Sequence, residues 1–361
     1  MAKRGRSRKS SRFFTLDQFR LANKIILLRV DYNVPLKENG DIADDTRIRK
    51  TLPTIKNLLG KRVKQIIIIS HLGRPEGKDP KLSLRKVARR LQTLLKQPVK
   101  FQKATLKDKI LVLENLRFSK KEEKNDRKFA KNLAKLADIY VNDAFSNSHR
   151  KHASMCAITD FLPSCAGLQL ENELKIAQDV LEKPKRPFVA IVGGVKLNTK
   201  IPLMKTFAKK ADTILIGSAI AQELEKKKKQ ISRKIVSPLD FVISDSAYMD
   251  IGPYAIKEYV SIIKSAKTIC WNGPLGAFEK KKFEKGTKTV AKAIAAATKE
   301  RHALSIAGGG ETIEAIQKYK LTKRFTHIST GGGASLLLWQ GAELPAVKAL
   351  EKNYQKFKKK F

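Results

Sequence analysis

The chain has 361 residues, enough for two domains of ordinary size, and its 42% apolar and 30% charged content is that of a globular rather than a disordered protein. Its 75 Lys+Arg against 34 Asp+Glu give a formal charge of +41, a field that attracts polyanions without sequence preference. No apolar run is long enough to span a membrane, MAKRGRSRKSSRFF lacks the apolar core of a secretory signal, and Cys156, Cys165 and Cys270 form no CxxC pair, which argues against zinc or disulfide frameworks and for reduced thiols.

Read in chain order, short β-branched runs alternate with longer stretches of helical period, which predicts parallel sheets covered by helices. IILLRV leads into Asp31, Tyr32 and Asn33, and DDTRIRKTLPTI follows with Arg47. QIIIIS leads into His71, Gly73 and Arg74, ILVLEN into Arg117, and DIYVND into AFSNSHR with His149 and Arg150. FVAIVGG runs on to Lys196 and Lys200, TILIG to SAIA, TIC to WNGP, LSIA to GGGET and HIST to GGGAS. Ligands of open α/β sheets bind beyond the carboxyl ends of the strands, where all of these turns lie. The first four turns carry Arg and His, the later ones Gly and Lys, so two sheets with different ligand preferences are expected.

The basic half reads as an anion site. Forked guanidinium groups match phosphate and carboxylate in two-point contacts, and Arg47, Arg74, Arg117 and Arg150 with His71 and His149 suit a small molecule bearing more than one negative group. The glycine-rich half reads as a nucleotide-phosphate site. Glycine admits a phosphate close to the backbone, and the helix that follows offers free N–H groups and its positive dipole end. Lys196 and Lys200 would add charge, and Glu311 is a candidate Mg²⁺ ligand. Neither the Walker nor the GxGxxG fingerprint occurs.

Over nearly its whole length the chain resembles phosphoglycerate kinases. LRVDYNVPL, DDTRIRKTLPTI, SHLGRP, LENLRF, VNDAFSNSHRKHAS, AGLQLENEL, RPFVAIVGGVKLNTKI, WNGPLGAFE, AGGGETIEAI and STGGGASLL stand in that family's order. The resemblance implies an α/β protein with two Rossmann-like domains, their parallel sheets facing a cleft, joined by a hinge helix. It implies a basic N-terminal extension over 1–12, a 3-phosphoglycerate domain over 13–165 and a hinge helix over 166–184 in which Glu173 stands. A shortened nucleotide domain over 185–335 and a segment over 336–361 returning to the first domain complete the plan. The implied reaction is reversible transfer of the acyl phosphate of 1,3-bisphosphoglycerate to Mg-ADP, in a cytoplasmic monomer.

By the same resemblance, Asp31 and Asn33 would bind the glycerate, His71, Arg74, Arg117 and Arg150 the 3-phosphate end, and Arg47 would stabilise the phosphoryl group in flight. Lys200 would contact the transferring group and Lys196 the nucleotide phosphates. Gly217 would lie near the base, with Asn272, Pro274 and Glu279 lining the adenosine site. Gly309, Gly310, Thr312, Gly332 and Gly333 would offer N–H groups to phosphate. Arg47, Lys200, Gly310 and Gly333 are the implied catalytic set, and Glu311 the implied metal ligand.

The chain departs from the family pattern in places. Glu311 replaces an Asp, Thr199 replaces the Asp of the lysine stretch, SAIA with Ser218 and Ala219 replaces a more glycine-rich turn, and Leu337 and Gln340 replace two glutamates. Between IAQELEKKKKQ and SPLDFVISDSAYMDIGP the family carries more chain, which leaves GDP/GTP in play beside ADP/ATP. The net charge supports two further expectations: non-specific polyanion binding, and, as the rival function, a weakened kinase fold that holds nucleic acid. Against the rival, aromatic residues make up only 7% of the chain and do not interleave with the basic runs as a stacking platform requires. The basic KRGRSRK and KFKKKF ends are expected to be surface tails.

Overall fold

The computed structural model describes residues 12–360, so the expected extension over 1–12 lies, but for its last residue, outside the described residues. The chain divides into two compact units, one running to Glu173 and taking up the chain again from Glu343, the other spanning Leu174–Ala342.

The first unit contains β1 (Phe14–Thr15), β2 (Ile25–Arg29), α1 (Thr46–Gly60), β3 (Gln65–Ile69), α2 (Arg85–Leu95), β4 (Lys100–Phe101) and β5 (Ile110–Val112). It continues through α3 (Lys120–Glu123), α4 (Arg127–Ala134), β6 (Ile139–Asn142) and β7 (Ser164–Ala166) into α5 (Leu168–Glu182). The seven strands form one sheet in the order β1-β7-β6-β2-β3-β5-β4. Every pairing is parallel, with Leu27 opposite Ile67 on one side and Tyr140 on the other. β2 and β3 are apolar almost throughout because helices cover both faces of a parallel sheet. Ile26, Leu28, Ile66 and Ile68 enter one core with Ile48, Ile55 and Val87 of α1 and α2. Leu27, Ile67 and Tyr140 enter the opposite core with Ala130 and Leu133 of α4.

The second unit has β8 (Phe188–Val192), α6 (Leu197–Lys210), β9 (Thr213–Ile216), α7 (Ser218–Lys226), β10 (Ile235–Val236), β11 (Phe241–Ser244), β12 (Ala247–Ile251) and α8 (Pro253–Ser265). Then come β13 (Thr268–Asn272), α9 (Lys285–Arg301), β14 (Leu304–Gly308), α10 (Gly310–Lys318), β15 (His327–Ser329) and α11 (Gly333–Trp339). Its parallel sheet is ordered β10-β9-β8-β13-β14-β15, and β11–β12 is a separate antiparallel hairpin. Trp271 and Ile191 face α8 and α9, while Ala190 and Cys270 face α6 and α7. All nine polar-ended runs are thus strands, and the turns after them gather at the carboxyl ends of two sheets.

Two boundaries differ from expectation. The returning segment was expected from residue 336, inside α11, but the whole of α11 belongs to the second unit, with Trp339 in that unit's core. The return starts at Glu343 and is made by α12 (Pro345–Phe357). Asn353 pins α12 by donating to Thr159 O (2.6 Å) and Leu162 O (2.8 Å) and accepting from Ser164 N (2.9 Å). KFKKKF is not a tail at its start, because α12 continues to Phe357, which packs on the first core beside Tyr354. The border between the units falls inside α5, after Glu173.

Asp143, buried just beyond β6 near Thr54, accepts from Gln169 N (2.8 Å) and Leu170 N (3.3 Å) at the start of α5, and its other oxygen meets the hydrogen-bond geometry with no described residue. Burial raises its carboxyl to about 6. A carboxyl whose folded pKa exceeds its unfolded one stabilises the fold below the unfolded value and loses that contribution as pH rises through the folded one. Asp143→Asn is therefore expected to flatten the fall in stability between about pH 4 and pH 6, by up to about 3 kcal/mol. Chemical denaturation across that range reads the slope, and an unchanged slope would contradict the assignment.

Candidate active site

In the first unit the turns after β2, β3, β5 and β6 are tied together by polar side chains. Asp31 is the hub after β2. One carboxyl oxygen accepts from Arg47 Nη1, on the first turn of α1, and from Ser146 Oγ, and the other accepts from Asn33 N (3.0 Å). Asn33 Oδ1 accepts from Gly73 N at 2.8 Å, which joins the turn after β2 to the turn after β3. Arg117, buried beyond β5, donates Nη1 to Gly73 O (2.7 Å). Its Nε lies 3.1 Å from Glu123 Oε1 without a hydrogen-bonding alignment, and its Nη2 is buried with no partner among the described residues.

His71 is buried and sits well below its ordinary pKa, first through burial and then through Arg29, Arg117, Arg150 and His152. His152 is lowered to about 4 by burial and by the same arginines. His149 is lowered mainly by burial, and its Nδ1 is buried and unpartnered. The histidines are therefore neutral at pH 7, and the positive charge resides on guanidinium groups. The structure brings Asp31, Asn33, Arg47, His71, Arg117, His149 and Arg150 into one connected region. Arg74 is exposed on the turn after β3 and forms no ion pair among the described residues.

In the second unit the turns after β8, β13 and β14 interlock. Gly193 N donates to Asn272 O (2.9 Å) and Gly194 N to Pro274 O (2.8 Å). A Cβ at Gly193 would sit 1.9 Å from Pro274 O, so only glycine lets these two turns cross. Asn272 Nδ2 donates to Gly308 O (2.8 Å), and its Oδ1 accepts from Lys200 Nζ. Gly273 N donates to Thr312 Oγ1 (2.7 Å), which anchors the first turn of α10. Gly309 precedes α10 at φ +99°, a conformation L side chains rarely adopt.

Burial lowers the Lys200 ammonium, and the nearby Glu311 carboxylate opposes that shift. Glu311 is exposed, and among the described residues no cluster of three His, Cys, Asp or Glu could hold a metal. One carboxylate beside a lysine suits Mg²⁺ that arrives on nucleotide phosphates, because Mg²⁺ is commonly held by one or two carboxylates plus those phosphates. Gly217 precedes α7 and packs 3.1 Å from Leu275 Cα, measured from a Cβ position. Gly310, Gly332 and Gly333 stand exposed at the starts of α10 and α11. Lys196 is exposed just before α6, and Glu279 is exposed with no hydrogen bond to the glycine turns. Asn272 was expected to line the adenosine site, and the structure gives it contacts with Lys200 and Gly308.

Several residues of the first region were missed from sequence: Arg29, Ser146, Glu122, Ser154 and His152. One signal was present, since Arg29 closes the otherwise apolar IILLR strand. A charge ending a buried strand needs partners, and those partners could not be named without the fold.

A parallel α/β unit that gathers guanidinium groups, joined to one that offers glycine turns, lysines and a carboxylate, defines a nucleotide-dependent phosphotransferase. The profile of one family, phosphoglycerate kinase, matches residues 16–238 and 218–342. Its two pieces overlap just before the hairpin β11–β12. The chain is 41% identical to "Phosphoglycerate kinase" of Borrelia garinii subsp. bavariensis over 387 positions, covering 92% of this chain and 97% of the relative. It is 42% identical to that of Dictyoglomus turgidum, covering 92% and 96%. Both alignments exceed the chain's own length, so each relative carries residues with no counterpart here. Among solved structures, phosphoglycerate kinase from Coxiella burnetii superposes with a TM-score of 0.85 at 34% identity, covering 94% of this chain and 99% of that one. The Pyrococcus horikoshii enzyme gives 0.79 at 31%, covering 95% and 100%. The chain belongs to the phosphoglycerate kinase family, whose members are phosphotransferases with a carboxyl group as acceptor.

Proposed function

We propose that this chain carries out the family reaction with the residues described above, as a cytoplasmic monomer. A β-phosphate oxygen of ADP attacks the acyl phosphorus of 1,3-bisphosphoglycerate, the P–O bond to the carboxyl oxygen breaks, and 3-phosphoglycerate leaves as its carboxylate. The attacking phosphate oxygen is already an anion and the leaving carboxylate a weak base, so neither a general base nor a general acid is needed. Catalysis is then positioning and charge neutralisation. Asp31 and Asn33 orient the glycerate. Arg117 and Arg150, with His71, His149 and Arg74, hold the 3-phosphate. Arg47 and Lys200 face the phosphoryl group in transit.

On the nucleotide side, Lys196, Gly309, Gly310, Thr312, Gly332 and Gly333 take the phosphates, and Gly217, Pro274 and Glu279 the nucleoside. Asn272 holds Lys200 in place. Glu311 is the ligand for Mg²⁺, which when bound neutralises nucleotide phosphate charge. Turnover requires the two half-sites to meet around both substrates, and excluding water then protects the acyl phosphate. The formal +41 makes weak, salt-dependent polyanion binding a side property.

The observation that carries the reading is Arg117: buried, anchored by one nitrogen to Gly73 O, and holding another nitrogen with no partner among the described residues, beside neutral His71. A buried donor left unpaired is costly, and a phosphate oxygen satisfies it. Separate calorimetric titrations with 3-phosphoglycerate and with ATP test this. Arg117→Ala is expected to weaken 3-phosphoglycerate by about 30-fold or more and ATP by less than about 2-fold. Equal weakening of both, or of neither, would contradict the assignment.

A further inference from the structure

Glu122 lies in the short helix α3 and is fully buried, outside the set of residues assigned to substrate. Oε1 accepts from Ser154 Oγ at 2.5 Å and Oε2 from Ser154 N at 2.9 Å, so the serine is gripped by both oxygens. Its backbone carbonyl also accepts from Ala153 N (2.8 Å). A hydroxyl has one proton. With that proton on Glu122, Ser154 Oγ turns a lone pair to Arg29 Nε, which donates at 2.9 Å. Arg29 is buried at the end of β2, gives Nη1 to Val30 O, and places Nη2 3.4 Å from His71 Nδ1.

Each link has only one possible direction. A guanidinium carries donors alone, so His71 Nδ1 must accept, and the ring proton lies on Nε2. Among the described residues no protein group accepts from that Nε2–H. Arg29, Arg117 and Arg150 all press positive charge on His71, and Glu122 is the buried carboxylate that offsets Arg29.

We infer that Glu122 is a positioning residue: through Ser154 and Arg29 it fixes the ring orientation and the tautomer of His71, so that Nε2–H faces the phosphate end of the glycerate substrate. The inference rests on the reading of this region as the 3-phosphoglycerate half-site. Without the relay His71 can rotate or change tautomer and offer an acceptor lone pair where a donor is needed.

Two variants and two readouts test it. Long-range ¹H–¹⁵N NMR of the imidazole nitrogens in the substrate-free, full-length protein is expected to show the Nε2–H tautomer for His71. In Ser154→Ala and Glu122→Gln the signals should move toward a mixture. In steady state the same variants are expected to raise KM for 3-phosphoglycerate about 5–10-fold, with kcat and KM for ATP within about 2-fold. Ser154→Thr, which keeps the hydroxyl, is expected to restore both readouts. If Glu122→Gln does not fold, Ser154→Ala with its threonine rescue carries the test. An unchanged His71 tautomer in a folded variant would overturn the inference, and so would a changed tautomer with an unchanged KM. Wild-type protein that shows no turnover with 3-phosphoglycerate would sink the proposed function, while the NMR result would still decide the relay.

Discussion

Arg47→Ala is expected to lower kcat by about 10³-fold while changing KM for 3-phosphoglycerate by less than about 5-fold. Arg47 is on the first turn of α1, half-buried, with one nitrogen on Asp31. Asp31 does not depend on it, because Ser146 Oγ and Asn33 N hold the same carboxylate. The pair with Asp31 is partly exposed and stabilises the fold by about 1 kcal/mol or less. A loss of activity therefore cannot be put down to unfolding, and a thermal melt checks this directly. Steady-state kinetics with both substrates separate the possibilities. A substrate-binding arginine would raise KM and spare kcat, whereas one acting on the group in flight lowers kcat. A raised KM with kcat unchanged would mean that Arg47 only binds.

The second large effect is expected at Lys200. Lys200→Met keeps most of the chain length and removes the charge, and kcat should fall about 10²–10³-fold. The ammonium is half-buried, held by Asn272 Oδ1 and close to Glu311. Its helix α6 is anchored independently by Leu197, Leu203, Met204 and Phe207 in the core, so the backbone should stay in place. Asn272 keeps its bond to Gly308 O and with it the tie between β13 and β14. Lys196, exposed just before α6, offers the contrast: the same substitution there should weaken nucleotide binding more than it slows the chemistry. A Lys200→Met protein with normal kcat and a raised KM for ATP would reverse these roles.

The long buried strands were legible in the sequence, because runs such as QIIII and FVAIV can only be covered on both faces. β1, β4 and β10 were not, since each has two residues and carries no periodic signal. The position of α11 was also hidden. GGGASLLLW reads equally well as the start of a returning segment, and only the burial of Trp339 against Gly308 assigns it to the second unit.

The placement of the candidate residues was readable where they follow strand ends: Asp31, Asn33, His71, Arg117, Arg150, Lys200 and Thr312. It was unreadable where a residue acts through another. Glu122 and Ser154 are 32 positions apart and meet only because α3 lies beside the chain that follows β6. The bond between Asn272 and Lys200, which spans 72 positions, was likewise hidden. Periodicity and local motifs carry no information about such pairs.

The central claim is that this shortened chain still joins an anion half-site and a nucleotide half-site into one working kinase. It is tested most directly by a steady-state assay of the purified protein with 3-phosphoglycerate and Mg-ATP. Turnover is coupled to NADH oxidation at near-physiological salt, with Arg47→Ala run in parallel. The account predicts turnover in the ordinary enzyme range, roughly 1–10³ s⁻¹, that all but vanishes in the variant. A folded wild-type protein with no turnover, or an Arg47→Ala variant as active as the wild type, would contradict it.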